Sequence, residues 1–261
     1  MNQRWRERRA LFRLPGEVIR TSEYEVSSIP GDLEARTFIE THHYSRSYPA
    51  ARFRFGLYHH DQLSGVAVFS IPCHSSVLTN VFPVPASLSV ELGRFVLLDF
   101  VPANGETWFL ARCVEVLRSE GLVGVVSFSD PLPRRTVQGE IVHKGHIGTI
   151  YQAFNGAYLG RSAPRTIYLL PDGSVLNART IQKIRSQERG WLYGAEMLQR
   201  FGASQISGDP KVWLARWLPT LTRTIRHPGN HKYAWPLDRT IRKVMPRSLP
   251  FPTCNPLFLP H

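Results

Sequence analysis

The chain has 261 residues, of which 43% are hydrophobic, so it is long enough for one large domain or for a core domain with an extension. No apolar run approaches the roughly 20 residues that span a bilayer, and the basic N-terminal segment lacks the apolar stretch of a signal peptide. Three scattered cysteines show neither a disulfide framework nor metal-ligand spacing. We therefore expect a cytoplasmic protein without a membrane partner.

The positive charge is concentrated in the C-terminal part of the chain. The formal net charge is +12; residues 161–261 contain 16 Lys and Arg against 5 Asp and Glu, whereas residues 1–160 contain 16 against 15. A nearly neutral core with a basic extension suits an enzyme that acts on nucleic acid, because basic residues attract phosphates while a less charged pocket does the chemistry. A generally basic protein without such a partner is the alternative.

Strands and helices alternate along the first two thirds of the sequence. The predicted elements are a basic arm at 1–20, a helix at 31–44, a hairpin at 51–71, a strand at 87–100, a helix at 107–121, a strand at 122–129, a short helix at 148–156 and a strand at 165–171. This order predicts an α/β fold in which helices flank a mixed sheet.

The pattern changes after residue 171. Two helical segments and a basic, Trp-containing helix at 210–226 follow, and a strand at 231–235 is expected to return to the sheet. The predicted organisation is a basic N-terminal arm (1–20), a catalytic core (21–175) and a basic helical extension with a Pro-rich tail (176–261).

The segment VPANGETWFLARC (101–113) predicts a strand that runs into a glycine-containing loop, with a helix starting at once. Backbone amides at the start of a helix favour anions, so this loop is a candidate phosphate cradle. Thr107 has the structural alternative of an ordinary N-cap.

Two charged residues lie within or directly after hydrophobic strands. Arg94 interrupts ELGRFVLL, and a buried arginine requires a partner. Glu91 is predicted to point to the opposite face, so the candidate partners of Arg94 are Asp130, Glu106 or a ligand. Asp130 follows a strand at the end where ligands bind in open α/β sheets, although Asp before Pro also starts turns.

Histidine and tyrosine side chains are concentrated in THHYSRSYP (41–49). Such residues perform acid–base chemistry, bind metals or stack on bases. The vicinal His42 and His43 are expected to point in different directions, so at most one serves a site.

A second Gly-rich stretch, HKGHIGTIYQAFNGAYLGRS (143–162), predicts either a turn leading into a short helix or the rim of a site. Tyr151 is the candidate site residue within it. Gln152 is expected to bond a base edge or the backbone.

Six motifs occur in one order: HYS (43–45), ELGR (91–94), ANGET (103–107), SFSD (127–130), GHIGTIYQAFNGAYLG (145–160) and LLPDG (169–173). Together they resemble the Mom-type DNA-modification family of Mu-like phages. The resemblance covers about residues 37–175, and the Gly-rich block is its most specific part.

The resemblance implies a GNAT-like fold and an enzyme that converts adenine in DNA to its carbamoylmethyl derivative at the exocyclic amine. This modification shields phage DNA from host restriction. The catalytic residues implied by the matching positions are His43, Tyr44, Ser45, Asp130 and Tyr151. The residues implied to bind acetyl-CoA or another coenzyme A derivative are Arg94, Asn104, Gly105, Glu106 and Thr107. The family also raises the prospect of iron, for which His43 is the candidate ligand.

Two departures from close relatives affect the partners. The loop ANGETW lacks both arginines of the corresponding Arg-Asn-x-Glu-Ser-Arg loop, which shifts phosphate contacts to backbone amides. The insertion LPRRTVQGEIVHK (132–144) is a candidate DNA-contacting loop. The expected partner is double-stranded DNA with its adenine flipped into the site. The candidate DNA-contacting residues are Arg134, Arg135, Lys144, Lys183, Arg185 and Arg189.

Two other functions fit the sequence. A GNAT-type N-acyltransferase acting on a protein or a small amine would bind coenzyme A tightly and leave DNA unmodified. A non-catalytic DNA-binding phage protein would tolerate replacement of Tyr151 and Asp130.

Overall fold

A computed structural model describes the backbone of residues 2–6, 9–13 and 17–253, with side chains over 17–253. The strands are β1 Asn2–Arg6, β2 Arg9–Arg13, β3 Tyr24–Ser28, β4 Ala51–His59, β5 Gln62–Ser70, β6 Ser89–Leu97, β7 Gly124–Ser129, β8 Arg134–Arg135, β9 Ile141–His143, β10 Ala157–Arg161, β11 Arg165–Leu169, β12 Val175–Leu176, β13 Arg223–His227 and β14 His231–Pro236. The α-helices are α1 Asp32–His42, α2 Ser76–Thr79, α3 Gly105–Ser119, α4 Thr149–Ala153, α5 Ala178–Ser186, α6 Trp191–Gln199, α7 Pro210–Leu221 and α8 Arg239–Val244.

The chain forms two compact units, and each is discontinuous in sequence. The first unit comprises the residues up to 129, residues 146–161 and the residues from 231 onward. The second unit comprises residues 130–145 and 162–230. The division predicted at residue 175 therefore falls inside the second unit, since the segment before it, from 162, belongs with the helices that follow.

A seven-stranded sheet organises the first unit, in the order β10-β14-β7-β6-β5-β4-β3. Neighbouring strands are antiparallel except β6 and β7, which are parallel. The predicted fold class, an α/β fold in which helices flank a mixed sheet, is confirmed, whereas its likeness to the GNAT fold stays a prediction. The segment at 231–235 supplies β14, which lies between β10 and β7.

Helices cover the two faces of this sheet because each carries an apolar stripe. In α3 the buried side chains Phe109, Cys113 and Leu117 recur at helical spacing and pack in one cluster with Phe55 and Phe69 of the sheet. The opposite face carries α1, whose buried residues share a smaller cluster with residues of β5. Successive side chains of β5 belong alternately to the two clusters, because neighbouring side chains of a strand point to opposite faces of the sheet.

The second unit has its own core. Helices α5, α6 and α7 pack around Ile184, Leu198 and Trp213, together with Leu176 of a three-stranded antiparallel sheet ordered β12-β11-β13. Strands β8 and β9 form a separate hairpin.

The prediction of one long helix over 210–226 is wrong at its end. Helix α7 ends at Leu221, and Thr222 is extended before strand β13 begins at Arg223. Pro219 lies in the last turn of α7, where a proline disfavours continuation of the helix.

No helix within residues 17–253 is both long and apolar enough to cross a membrane.

Candidate active site

The two parallel strands of the first unit separate before they end. Strands β6 and β7 are paired from Ser89↔Gly124 to Leu92↔Ser127, yet β6 continues to Leu97 and β7 to Ser129. Their carboxyl ends therefore carry unpaired backbone on facing edges. This is the position in an α/β sheet where ligands usually bind.

A β-bulge at Gly93 sets the side-chain directions at this point. Val68 of β5 pairs with Arg94 and Phe69 pairs with Leu92, so Gly93 is the extra residue. A bulge breaks the strict alternation of a strand. The prediction that Glu91 points away from Arg94 is wrong for this reason, and both residues face the same side of the sheet.

Glycine is required at the bulge. A Cβ atom at residue 93 would lie 2.4 Å from Ser70 Oγ and 3.2 Å from Pro49 Cγ. An isolated glycine within a predicted strand is the sequence signal for a bulge, and it would have corrected the prediction for Glu91.

Arg94 holds the loop that follows α1. Its Nε donates to the Ser47 carbonyl oxygen at 2.8 Å, Nη2 donates to Ser47 Oγ at 2.8 Å, and Nη1 donates to the Gly93 carbonyl oxygen at 2.5 Å. The loop, rather than Glu106, supplies the partners of this guanidinium. Burial lowers the pKa of Arg94. The neighbouring groups that oppose this shift are Tyr44, Glu91 and Tyr151.

Glu91 is a candidate site residue that the sequence prediction missed. Burial raises the pKa of its carboxyl group, and the charge of Arg94 partly offsets that effect. A carboxylate with a raised pKa is a better proton acceptor than an exposed one. Glu91 therefore has the chemistry of a general base.

Tyr151 lies on α4 with its ring held by two aromatic neighbours. The ring centroids of Tyr233 and Trp235 are each 5.5 Å away, and the side chain of Ser127 is a polar neighbour of the phenol. Burial raises the pKa of the phenol, so Tyr151 keeps its proton at neutral pH. Gly148 begins this turn at φ +81°, and a Cβ there would lie 2.7 Å from the Tyr233 ring.

Gln152 bonds within the protein. Its Nε2 donates to the Tyr233 hydroxyl at 3.0 Å, and that hydroxyl donates to the Ile147 carbonyl oxygen at 2.5 Å. These bonds fix the Gly-rich stretch onto β14. The structure thus favours the backbone-holding role for Gln152 over contact with a base.

His43 and Ser45 form a local turn. Ser45 Oγ lies 2.8 Å from His43 Nδ1, and the Ser45 amide donates to the same nitrogen at 3.1 Å. His74 and Ser76 repeat the arrangement at an exposed position, with distances of 2.7 and 3.3 Å. The pair is therefore a recurrent His-x-Ser turn, which by itself does not mark a nucleophile.

Tyr44 forms an aromatic group with two histidines. Its ring centroid is 4.3 Å from that of His43 and 6.0 Å from that of His146, and its hydroxyl lies 3.5 Å from His146 Nε2. His42 packs instead on Phe38 within α1, at 4.6 Å between ring centroids. The structure thus assigns His43, rather than His42, to this group, and it adds His146.

The loop before α3 offers little positive charge to a cofactor. Asn104 is the N-cap residue, in a left-handed conformation, and Thr107 lies inside the first turn with its hydroxyl donating to the Asn104 carbonyl oxygen at 3.2 Å. The N-cap role considered for Thr107 is therefore wrong. Glu106 is only 7% exposed in this turn, and a carboxylate there offsets the positive end of the helix. Residues 101–108 contain no Lys or Arg. The loop does not fit a pyrophosphate by charge, and coenzyme A binding at Asn104 and Gly105 stays a prediction.

The described residues do not offer a set of donor side chains that matches iron. Within residues 17–253 no group of three His, Cys, Asp or Glu side chains is spaced to hold a metal ion. His43, the candidate ligand, already accepts the Ser45 amide at Nδ1.

Asp130 belongs to the second unit, where its carboxylate is engaged by three side chains. His227 Nε2 donates to Oδ1 at 2.9 Å, Arg134 Nη2 lies 3.3 Å from Oδ2, and His143 Nε2 lies 4.0 Å from Oδ2. The Gly229 amide donates to His227 Nδ1 at 3.0 Å, which places the proton of neutral His227 on Nε2.

The pKa of Asp130 follows from this cluster. Burial alone would raise it, but the Arg134 charge, the Leu132 amide and the two histidines together lower it. A carboxylate with a lowered pKa that is already hydrogen-bonded is a weak base. The geometry therefore favours a structural role for Asp130, and its catalytic role stays a prediction.

The predicted DNA-contacting residues all lie in the second unit but differ in accessibility. Arg134 is paired with Asp130 and has a side chain only 14% exposed, and the Nζ atom of Lys144 is buried. Arg135 is exposed and donates to the Gly139 carbonyl oxygen at 2.9 Å. On and after α5, Arg185 and Arg189 are exposed, and Lys183 is half-buried.

Comparisons with known proteins identify a family for this chain. The Mom protein family model matches residues 23–253. Among solved structures, an N-acetyltransferase from Staphylococcus aureus Mu50 is 9% identical, with 82% of this chain and 97% of that chain covered at a TM-score of 0.35. A putative acetyltransferase from Pyrococcus horikoshii is also 9% identical, with 86% and 92% covered at a TM-score of 0.39. No curated protein gives a significant match.

Proposed function

This chain belongs to the Mom protein family, and from that membership and the geometry of the first unit we propose that it modifies adenine in double-stranded DNA. The product is the N6-carbamoylmethyl derivative, and its role is to protect phage DNA from restriction in the host cytoplasm.

One observation carries the proposal. Arg94 joins the loop bearing Tyr44 to the open ends of β6 and β7, and the Glu91 carboxyl group and the phenols of Tyr44 and Tyr151 are its electrostatic neighbours. A proton acceptor, a proton donor and an aromatic surface are thus collected around one guanidinium. Perturbed, partly buried groups of this kind are typical of catalytic sites.

The reaction requires a new bond to the exocyclic nitrogen of adenine. The lone pair of that nitrogen attacks the methylene carbon of a carbamoylmethyl donor, and the bond from that carbon to the donor's carrier breaks with its electron pair leaving on the carrier. The nitrogen loses one proton, and the carrier gains one. The atoms therefore balance without an oxidant or a reductant.

Different residues of the first unit carry out the two proton transfers. Glu91, whose pKa is raised by burial, takes the proton from the attacking amine. Tyr151, which stays protonated, donates to the departing carrier. Because the amine of adenine is a poor nucleophile, orientation must supply much of the rate, and Arg94 contributes by fixing the loop.

Adenine must leave the duplex before its amine can react. Flipping a base costs a few kcal/mol of stacking and pairing energy, and stacking on aromatic side chains offsets part of that cost. Tyr44, flanked by His43 and His146, is the aromatic surface that the proposal assigns to the flipped base.

The test is to produce the protein in bacteria with a plasmid, digest the plasmid to nucleosides and analyse them by mass spectrometry. The expected result is a carbamoylmethyl-adenosine species that is absent from cells with the empty vector and resistance of the plasmid to cleavage at adenine-containing restriction sites. Soluble protein with wholly unmodified adenine would overturn the proposal. Acetylated protein or small amines in place of modified DNA would favour the N-acyltransferase alternative.

A further inference from the structure

Helices α5 and α7 of the second unit pack together and leave an open groove between them. It has a volume of about 380 Å³, and the residues that line it are Arg185, Lys211, Leu214, Ala215, Leu218 and Pro219. Two cations from two different helices therefore flank one groove. We propose that this groove binds the sugar–phosphate backbone of double-stranded DNA, an inference that rests on the proposed function and specifies where the substrate is held.

Charge complementarity is the first argument for a phosphate. Both Arg185 and Lys211 are exposed, and within residues 17–253 neither takes part in an ion pair between side chains. The nearby Arg179 differs, since its Nη2 pairs with Glu188 at 2.5 Å. Two like charges directed at one groove repel each other unless an anion lies between them.

The base of the groove is apolar, which favours a phosphodiester over a free phosphate ion. Leu214 is only 2% exposed and Leu218 is partly buried, so aliphatic carbon lies beneath the two cations. A nucleic-acid backbone presents anionic phosphates separated by apolar sugar surface. Such an arrangement matches cations above an aliphatic floor better than a small hydrated anion does.

The charge of the whole unit is consistent with a polyanionic partner. Residues 130–145 and 162–230 contain 13 Lys and Arg against 6 Asp and Glu. Two of those six acidic residues are paired inside the unit, Asp130 with Arg134 and Glu188 with Arg179. The unit keeps an excess of seven positive charges, 13 against 6, which attracts DNA irrespective of sequence.

The inference is tested by fluorescence anisotropy of a labelled duplex titrated with the purified full-length chain at several NaCl concentrations. The variant is Arg185→Ala/Lys211→Ala. The matched control is Arg200→Ala/Arg223→Ala, which removes the same charge from exposed positions of the same unit outside the groove. Thermal unfolding checks that both variants remain folded.

If each groove cation contacts one phosphate, the slope of log K against log [NaCl] becomes shallower by about 1.8 in the groove variant, at roughly 0.9 per contact. The control should change the slope less, and Arg185→Lys/Lys211→Arg should restore it. An unchanged slope in the groove variant would overturn the inference. Poly-glutamate that competes as well as unlabelled duplex would overturn the commitment to DNA.

The two proposals fail separately. Plasmid adenine that is modified by the wild-type protein, with an unchanged salt slope in the groove variant, would refute the groove and leave the proposed function standing. A salt slope that becomes shallower in the groove variant, combined with unmodified plasmid adenine, would refute the proposed function and leave the groove standing.

Discussion

Arg94 and Ser47 are joined by two hydrogen bonds, one from Nε to the Ser47 carbonyl oxygen and one from Nη2 to Ser47 Oγ, each 2.8 Å long. The residues are 47 positions apart, so a strand of the sheet holds a distant loop through a single side chain. This loop carries His43, Tyr44 and Ser45. Arg94 is therefore a positioning residue in the proposed mechanism.

Replacing Arg94 by Lys should lower the yield of modified adenine by about 10²-fold, because an ammonium group cannot reproduce both bonds to Ser47 and a displaced loop misaligns the base. The yield is measured by mass spectrometry of plasmid nucleosides. The control is Arg54→Lys, since Arg54 pairs with Asp32 elsewhere in the same unit. Equal yields from the two variants would show that Arg94 does not position the site.

Replacing Glu91 by Gln should abolish modification without loss of stability. The carboxyl group of Glu91 has a raised pKa, so its ionised form is unfavourable in the folded state, and a neutral amide removes that cost. Product at the wild-type level would remove Glu91 from the proton-transfer step.

The pH dependence of stability gives a readout for Glu91 that does not require activity. Because the folded pKa lies above the ordinary value of 4.5, the wild-type protein loses stability from this group as the pH rises from 4.5 through the folded pKa. The stability of Glu91→Gln relative to the wild type should therefore increase over that window in thermal unfolding. A difference that stays constant with pH would contradict the raised pKa.

Replacing Tyr151 by Phe should separate chemistry from packing. The ring contacts with Tyr233 and Trp235 remain, and loss of the hydroxyl group beside Ser127 costs at most about 1 kcal/mol of stability. If the phenol acts as the proton donor, modification should fall by about 10²–10⁴-fold. Tyr151→Ala, which should cost about 3–5 kcal/mol, serves as the packing-defective comparison. A fully active Phe variant would restrict Tyr151 to a packing role.

Replacing Asp130 by Asn should destabilise the protein by at most about 3 kcal/mol, because the largely buried side chain of Arg134 loses its counter-charge. The pKa of Asp130 is lowered below its ordinary value of 3.8, so the stabilisation is complete above pH 3.8 and disappears as the pH falls through the folded pKa. Denaturant unfolding should show the wild-type and variant stabilities converging below pH 3.8. Asp172→Asn, at an exposed position of the same unit, is the control. A stable but inactive Asp130→Asn protein would favour the catalytic role.

The sequence predicted the fold better than it predicted the contacts of the site. Hydrophobic alternation and helical spacing identified the hairpin of β4 and β5 and helix α3, because those patterns arise from burial on one face. The direction of Glu91 was missed because a single extra residue at Gly93 reverses the alternation, and its cause is a close approach of Ser70 from another strand.

The partners of Asp130 were not predictable in the same way. Its position after a strand suits either a catalytic carboxylate or a turn, and the decision depends on His227, which lies 97 residues further along the chain. Sequence spacing carries no information on such a long-range contact. Similarly, Arg134 was assigned to DNA because it is a basic residue of the insertion 132–144, whereas the structure pairs it with Asp130.

The pairing of β7 with β14 has a consequence for synthesis of the protein. Ser129 pairs with His231, so β14, the second strand from one edge of the seven-stranded sheet, leaves the ribosome about 100 residues after the strand it joins. The whole second unit is translated in this interval and can fold first, whereas the support of Tyr151 must wait for β14. Long-range pairings of this kind fold slowly. Incomplete chains that end before residue 231 would therefore lack the aromatic support that Tyr233 and Trp235 give to Tyr151.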